Sequence, residues 1–211
     1  MIIVVEGASA AGKTTWVRQH AAAHAVPESS PDTAAPDRGV APEEWVRYWQ
    51  EQNELRWRRA VELEQKARLA VCDTDPLKAH YVWCVWQAGL ADRTGWDLQC
   101  EMTIAAFDEQ RIGFADLVLF ADLDETELRA RRSADASRQR RRFETHVRLA
   151  APLKRWYEAV DRIEPGRVVW RLPGGGLSSE LLAVGRRAER SGSSLFARFL
   201  EELERTGPAE S

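Results

Sequence analysis

A three-layer α/β fold, a parallel sheet with helices on both faces, is the class the sequence predicts, and three observations predict it. Short apolar runs alternate with longer stretches of helical pattern along the chain. The first run, Ile2-Ile3-Val4-Val5, leads directly into a glycine-rich turn and then into a helix-compatible segment. A later run, Leu69-Ala70-Val71-Cys72, ends in Asp73, at the strand end where open parallel sheets bind ligands. With 211 residues, 44% hydrophobic and 30% charged, the chain is long enough for one α/β domain and too apolar to be disordered.

The turn after the first strand, Gly7-Ala8-Ser9-Ala10-Ala11-Gly12-Lys13-Thr14, fits the phosphate-binding pattern G-x-x-x-x-G-K-[ST]. Its glycines let backbone N–H groups turn around phosphate oxygens, and the following helix adds its positive dipole end. Lys13 supplies a mobile charge for β- and γ-phosphates, and the Thr14 hydroxyl is placed to ligate Mg²⁺. Gly7 to Thr15 are therefore the expected cofactor site, for ATP with GTP as the alternative, on a P-loop NTPase fold.

The remaining elements follow in order. Residues 13–25 read as the first helix, ended by Pro27, with a second strand finishing at Val26-Pro27. Residues 28–41 carry Pro31 and Pro36 and read as a loop. Pro42 suits the first helical position, with Glu43 and Glu44 in the first turn, and a long amphipathic helix runs to about Ala67. After the strand at 69–73, Asp75-Pro76 opens a helix near Leu77–Ala88; another covers 96–110 and Gly113 breaks it. Leu117-Val118-Leu119-Phe120 is the next buried strand. Asp124 with Glu127 is a capping-box variant that opens a helix through Arg132. Residues 133–141 form a polar, arginine-rich break, and a helix follows over 142–163. Pro165-Gly166 turns the chain into Val168-Val169-Trp170, and Pro173-Gly174-Gly175-Gly176 precedes two C-terminal helical segments. The second of these, Leu195–Leu200, is amphipathic and packs either on the domain or on a partner, a second copy included.

Three acids fall at strand ends. Asp73 is placed to support Mg²⁺ through water, and Asp75 points to the same side if the chain stays extended. Glu28 follows the second strand. A hydroxyl that attacks phosphorus needs a carboxylate to orient it and take its proton, and Glu28 and Asp73 are the candidates. Arg129, Arg131 and Arg132, with Arg138, Arg140, Arg141 and Arg142, suit a lid that neutralises transition-state charge; Arg132 and Arg140 are the expected catalytic members. A solvated helix face is the plainer alternative, supported by the Glu125/Arg129 pair.

Most of the nine tryptophans read as core. Trp49 is the candidate for stacking a planar acceptor, and Gln52 for reading its edge. The histidines read as surface residues with no metal-ligand spacing. Cys72, Cys84 and Cys100 form no zinc pattern and suit a reducing compartment. A net charge of -3 argues against nucleic acid as a partner, and no apolar run is long enough for a membrane span. The N-terminus enters a strand directly, so no cleavable leader is expected and the cytoplasm is the expected location.

The opening IIVVEGASAAGKTT resembles the start of the deoxynucleoside kinase and thymidylate kinase branch of the P-loop kinases, including the glutamate before the first loop glycine. Val26-Pro27-Glu28 is similar to the V-P-E segment that carries the catalytic glutamate of deoxynucleoside kinases. The helix bearing tryptophans and Gln52 resembles their base-reading helix. Residues 117–132 look like their strand and lid-preceding helix, and Arg140-Arg141-Arg142-Phe143-Glu144 looks like the R-F-E ending of a thymidylate kinase lid. The resemblance spans about residues 1–172. It departs at Asp73-Thr74-Asp75-Pro76-Leu77-Lys78, where deoxynucleoside kinases have Glu-Arg-Ser and thymidylate kinases Asp-Arg; Lys78 is the candidate replacement for the arginine, and Asp75 a second acceptor contact.

These readings imply a kinase domain over 1–182, with a lid at about 132–142, and a C-terminal helical extension over 183–211. The expected activity is Mg-ATP-dependent transfer of a γ-phosphate to a hydroxyl or phosphate of a small molecule, with a nucleoside or nucleotide as acceptor. The alternatives are a phosphotransferase for antibiotics or secondary metabolites, and a non-kinase P-loop ATPase acting on a protein.

Overall fold

The computed structural model describes residues 1–30, 33, 35–37, 40–134 and 143–206. Five strands, β1 (Ile2–Gly7), β2 (Ala25–Val26), β3 (Ala70–Asp73), β4 (Leu117–Ala121) and β5 (Val168–Val169), form one sheet in the order β2-β3-β1-β4-β5. All four pairings are parallel. In β1, Ile2–Val5 align with Ala70–Asp73, and Ile3–Gly7 align with Leu117–Ala121. Every residue of β1 is buried, as a central parallel strand covered on both faces requires.

The helices are α1 (Lys13–His20), α2 (Pro42–Ala67), α3 (Ala79–Gln87), α4 (Thr94–Asp108), α5 (Glu125–Ala134), α6 (Phe143–Arg148), α7 (Ala150–Ile163), α8 (Ser179–Ala183) and α9 (Ser193–Thr206). The period of two along each strand sorts side chains between the two outer layers. Ile2, Val4, Cys72, Val118 and Phe120 join the core built with α2, α3, α4, α7 and α9. Ile3, Val5, Val71, Leu117 and Leu119 face the other way, toward Trp16 and Val17 of α1 and Leu181 of α8. Trp156 is fully buried at the centre of the thicker layer, against Trp83, Trp96 and Phe199. Among the described residues, no helix is long and apolar enough to cross a membrane.

The structure differs from the sequence reading at several points. The first helix stops at His20 rather than near 25, because residues 22–24 tighten into a 3₁₀ turn that delivers Ala25 and Val26 to the sheet edge. The helix expected over 142–163 is two, split at Leu149. Pro152 has no N–H for the carbonyl of residue 148, yet suits the first turn of the new helix α7. α4 ends at Asp108, and Gly113 instead lets the chain pass close to Arg190, where a Cβ would meet the Arg190 carbonyl oxygen at 2.6 Å. α9 lies in the stretch read as an extension, and its Leu195, Phe196 and Phe199 are completely buried in the main core. Asp124 and Glu127 do form the capping box: the Glu127 N–H donates to Asp124 Oδ1 at 2.8 Å, and the Asp124 N–H donates to Glu127 Oε2 at 3.4 Å.

At the amino ends of β1 and β4, a buried ionic network ties distant segments together. Arg190 donates Nη1 to Glu64 Oε2 at 2.7 Å and Nε to Asp116 Oδ1 at 2.7 Å. Its Nη2 bonds the second oxygen of each carboxylate. The Met1 ammonium also pairs with Glu64, and the Ile2 N–H donates to Asp116 Oδ2 at 2.6 Å.

Candidate active site

The loop from Gly7 to Gly12 leaves the carboxyl end of β1, between β3 and β4. At Gly7 (φ +141°) an added Cβ would lie 2.9 Å from Ala121 Cβ and its carbonyl oxygen, so only glycine lets β1 and β4 converge there. Gly12 (φ +90°) is the left-handed N-cap of α1. Within the loop, the Ala11 N–H donates to the Ala8 carbonyl at 3.2 Å. Lys13 is the first residue of α1, and its Nζ donates to the Gly7 and Ala8 carbonyls at 2.6 and 3.1 Å. Burial lowers its pKa, with Glu6 the main opposing charge at 3.8 Å. Thr14 and Thr15 follow in the first turn of the helix.

Beside this loop opens a cavity of about 280 Å³, lined among others by Lys13, Glu6, Glu28, Thr74, Lys78 and His80. The structure therefore brings Glu28 and Lys78 to the phosphate loop from separate elements, and Lys78 Nζ donates to Glu28 Oε1 at 3.0 Å. Partial desolvation raises the Glu28 carboxyl, but the charge and hydrogen bond of Lys78 outweigh it and hold the group below its ordinary range. Glu28 is thus an unprotonated acceptor at neutral pH.

Glu6 is the residue that sequence reasoning left out of the site. It is 3% exposed, and its oxygens accept from the Gly7 N–H at 3.0 Å and the Asp75 N–H at 2.9 Å. It therefore couples the phosphate loop to the end of β3. Burial raises its pKa, but Lys78, Lys13, His80 and the Asp75 N–H together outweigh burial and bring it to about 2. A charged residue closing an otherwise apolar strand was the available signal. Its energetic consequence is testable. Glu6 and Glu64, also held at about 2, take up protons near pH 4.5 when unfolded but only near pH 2 when folded. The stability they contribute is fully present above about pH 4.5 and is lost as pH falls toward 2. For Glu6 this is on the order of 3 kcal/mol at neutral pH. Chemical unfolding as a function of pH should steepen across that window in the wild type and flatten in Glu6→Gln; equal slopes would mean that Glu6 titrates normally.

The end of β3 is not extended. Thr74 adopts φ +69°, so the same-side relation expected of Asp73 and Asp75 does not arise. Asp75 instead turns inward: Oδ1 accepts from the Leu77 N–H at 2.8 Å and Oδ2 from the Tyr157 hydroxyl at 2.9 Å. Burial raises its pKa to about 6. Asp73 is 7% exposed, and its Oδ1 is buried with no hydrogen-bond partner, as is Thr74 Oγ1. Under both segments lies Arg56 of α2, 1% exposed. Its Nε donates to the Pro27 carbonyl at 3.1 Å, Nη2 to the Asp73 and Thr74 carbonyls at 2.9 Å each, and Nη1 to the Asp75 carbonyl at 3.4 Å.

His80, read from the sequence as a surface residue, is buried in the cavity wall. Its Nδ1 bonds the Leu77 carbonyl at 2.7 Å, and burial lowers its pKa to about 4, so the ring is neutral at physiological pH. The Leu77, His80 and Cys84 spacing on one helical face was the signal for this burial. Trp49 and Gln52 do not line the cavity. The α2 glutamine that bonds across to α4 is Gln50, whose Oε1 accepts from Gln99 Nε2 at 2.7 Å.

The arginines divide by helix face. Arg131 Nη1 donates to the Ala11 carbonyl of the phosphate loop at 3.1 Å. Arg132, named from the sequence, points elsewhere, bonding Glu144 at 3.0 Å and covering the Phe143 ring. Arg129 pairs with Glu125 and, through two bonds, with Glu144. Arg140 and the lid centre lie outside the described residues.

No family model matches the chain, and no similar curated protein is found. Solved structures are similar. One is a deoxyadenosine kinase from M. mycoides with bound dATP, at 11% identity and a TM-score of 0.57, covering 97% of this chain and 100% of the other. The same enzyme with bound dCTP matches at 12% identity and a TM-score of 0.54, covering 97% and 100%. With the products dCMP and dCDP it matches at 11% identity and a TM-score of 0.54, covering 97% and 98%. The phosphate loop at the end of β1, the β2-β3-β1-β4-β5 parallel order and this full-length likeness give the chain a deoxynucleoside kinase-like P-loop kinase fold.

Proposed function

We propose that this chain is a kinase that moves the γ-phosphate of ATP, with Mg²⁺, to a hydroxyl or phosphate of a small molecule, a nucleoside or nucleotide being the acceptor class. The observation that carries the reading is that one cavity joins the phosphate loop and Lys13 to the Glu28–Lys78 pair. Gly7 to Thr15 hold the triphosphate, and Lys13 leaves the loop carbonyls for the β- and γ-phosphate oxygens. Glu28 orients the acceptor hydroxyl and takes its proton. It is preferred to Asp73 because it lines the cavity, whereas both oxygens of the other lining carboxylate, Glu6, are committed to backbone N–H groups. Lys78 keeps Glu28 ionised and faces the acceptor. Arg131, against the loop, and the arginines of 138–142 supply positive charge for the transferring group.

A divalent cation fits the residues present. Asp73 Oδ1 is a buried oxygen without a partner, and Thr14 offers a hydroxyl one residue into α1. Mg²⁺ keeps several waters and leans on substrate phosphates, so it does not require the multi-ligand protein cluster that is lacking among the described residues. When bound, Mg²⁺ would neutralise charge between the β- and γ-phosphate oxygens.

The test is transfer from γ-labelled ATP-Mg²⁺ to nucleosides, nucleoside monophosphates and hydroxyl-bearing antibiotics, with Glu28→Gln alongside. The expected result is one phosphorylated acceptor class, with acceptor-dependent kcat at least about a hundredfold lower in Glu28→Gln and ATP binding retained. A variant as fast as wild type would hand the base role to Asp73. ATP binding without transfer to any acceptor would overturn the kinase reading in favour of an ATPase that acts on a protein.

A further inference from the structure

We infer that Arg56, through the four carbonyls it binds, is the positioning residue that sets Glu28 against the end of β3; the inference rests on the phosphotransferase reading above. The guanidinium is 1% exposed, and among the described residues it has no carboxylate partner. As a stabiliser this is a poor device. An ion taken out of water costs several kcal/mol, and an apolar side chain of similar volume would avoid that cost. What the planar fork supplies, and an apolar group would not, is a fixed distance between chain segments.

The segments are the two that carry the acids. Pro27, bonded by Nε, directly precedes Glu28. Asp73, Thr74 and Asp75, bonded by the two terminal nitrogens, include the carboxylate proposed to support Mg²⁺ and Thr74, a residue of the cavity lining. Successive carbonyls of an extended strand point to opposite sides, so three of them reach one guanidinium only if the chain turns between them. Thr74 at φ +69° makes that turn, in a conformation an L-residue pays of the order of 1–2 kcal/mol to adopt. The strained residue, the buried cation and the break in the strand thus belong to one arrangement. Arg56 itself bonds no residue of the phosphate loop; among the described residues the arrangement reaches the loop through Glu6, which accepts from the Asp75 N–H and the Gly7 N–H, while Lys13 and Arg131 contact the loop independently of it.

This separation gives the test. Arg56→Met removes every bond, and Arg56→Lys keeps the charge on a single nitrogen that reaches only one segment at a time. Both are assayed well below their melting temperatures, for acceptor-dependent kcat, for KM of ATP and for ATP binding by displacement of a fluorescent analogue. Expected is a fall in kcat of about a hundredfold, as for a misplacement near 1 Å, with ATP affinity within about twofold of wild type. Guanidinium ion added to a third variant, Arg56→Ala, should restore part of the lost kcat. If Arg56→Met does not fold, Arg56→Lys decides. Folded Arg56→Lys with wild-type kcat overturns the inference, and so does loss of ATP affinity in parallel with kcat, which is the mark of a softened sheet edge. A wild-type chain that phosphorylates no acceptor overturns the phosphotransferase reading and this inference with it, and is told apart from the other outcomes by the wild-type assay alone.

Discussion

Lys13→Ala should abolish measurable transfer, with a loss of at least about a hundredfold in kcat, while the protein stays folded. Lys13 Nζ is desolvated and held by the Gly7 and Ala8 carbonyls, so its charge is aimed at the loop interior and not at solvent. Charge that develops on phosphoryl oxygens in such a site is stabilised far more than in water. The fold is insulated because the core that holds β1 in place is apolar on both faces. Lys13→Arg should fail nearly as badly, since a planar fork does not replace a compact ammonium inside a tight loop. Labelled-phosphate transfer measures the first effect and thermal unfolding the second. Transfer retained in Lys13→Ala would remove the loop from the chemistry. The same substitution takes away one of the charges that depress Glu6, so the acid-sensitive window of stability should narrow in Lys13→Ala.

Arg190→Met should cost about 3–5 kcal/mol of stability, the largest effect expected of any change outside the site. Arg190 serves two buried carboxylates, and Asp116 is completely inaccessible. Removing the cation leaves both acids buried, with only the Met1 ammonium still against Glu64 and backbone N–H groups on Asp116. Breaking one partner of a buried network is expensive even when the intact network contributes little. The melting temperature should fall by roughly 10 °C for a domain of this size. Replacing the acids as well, in Glu64→Gln/Asp116→Asn/Arg190→Met, should recover much of the loss; if the triple variant is no better than the single one, the cost lies in packing and not in charge.

The phosphate loop was legible because its chemistry is contiguous: eight residues between a strand and a helix contain the whole motif. The β3 carboxylate was legible for a similar reason, as the polar end of an apolar run. Arg131 against Arg132 was not. Both follow Leu128 by about one turn, and which of them meets the loop depends on how Leu128 seats the helix against Ala11, Ala121 and Phe143. His80 and Asp75 were misjudged because their surroundings come from α7, through Trp156 and Tyr157, more than 70 residues away.

What the sequence determined by itself was the alternation of strands and helices, the parallel α/β class and the glycine-rich loop between β1 and α1. Each of these is announced by patterns among near neighbours in the chain: hydrophobic period, turn residues and the glycines that permit positive φ. What only the tertiary structure decided was which groups the cations meet, acids or backbone carbonyls. Glu28 meets Lys78 across 50 residues of chain, Arg56 meets Pro27 across 29, and Arg190 meets Glu64 across 126. Across such separations charged side chains carry no periodicity that announces their partners, unlike the i,i+4 pair of Glu125 and Arg129. Their pairing is set by where the buried sheet and its helices bring the backbone, and a buried charge then takes the nearest group able to offset the loss of water.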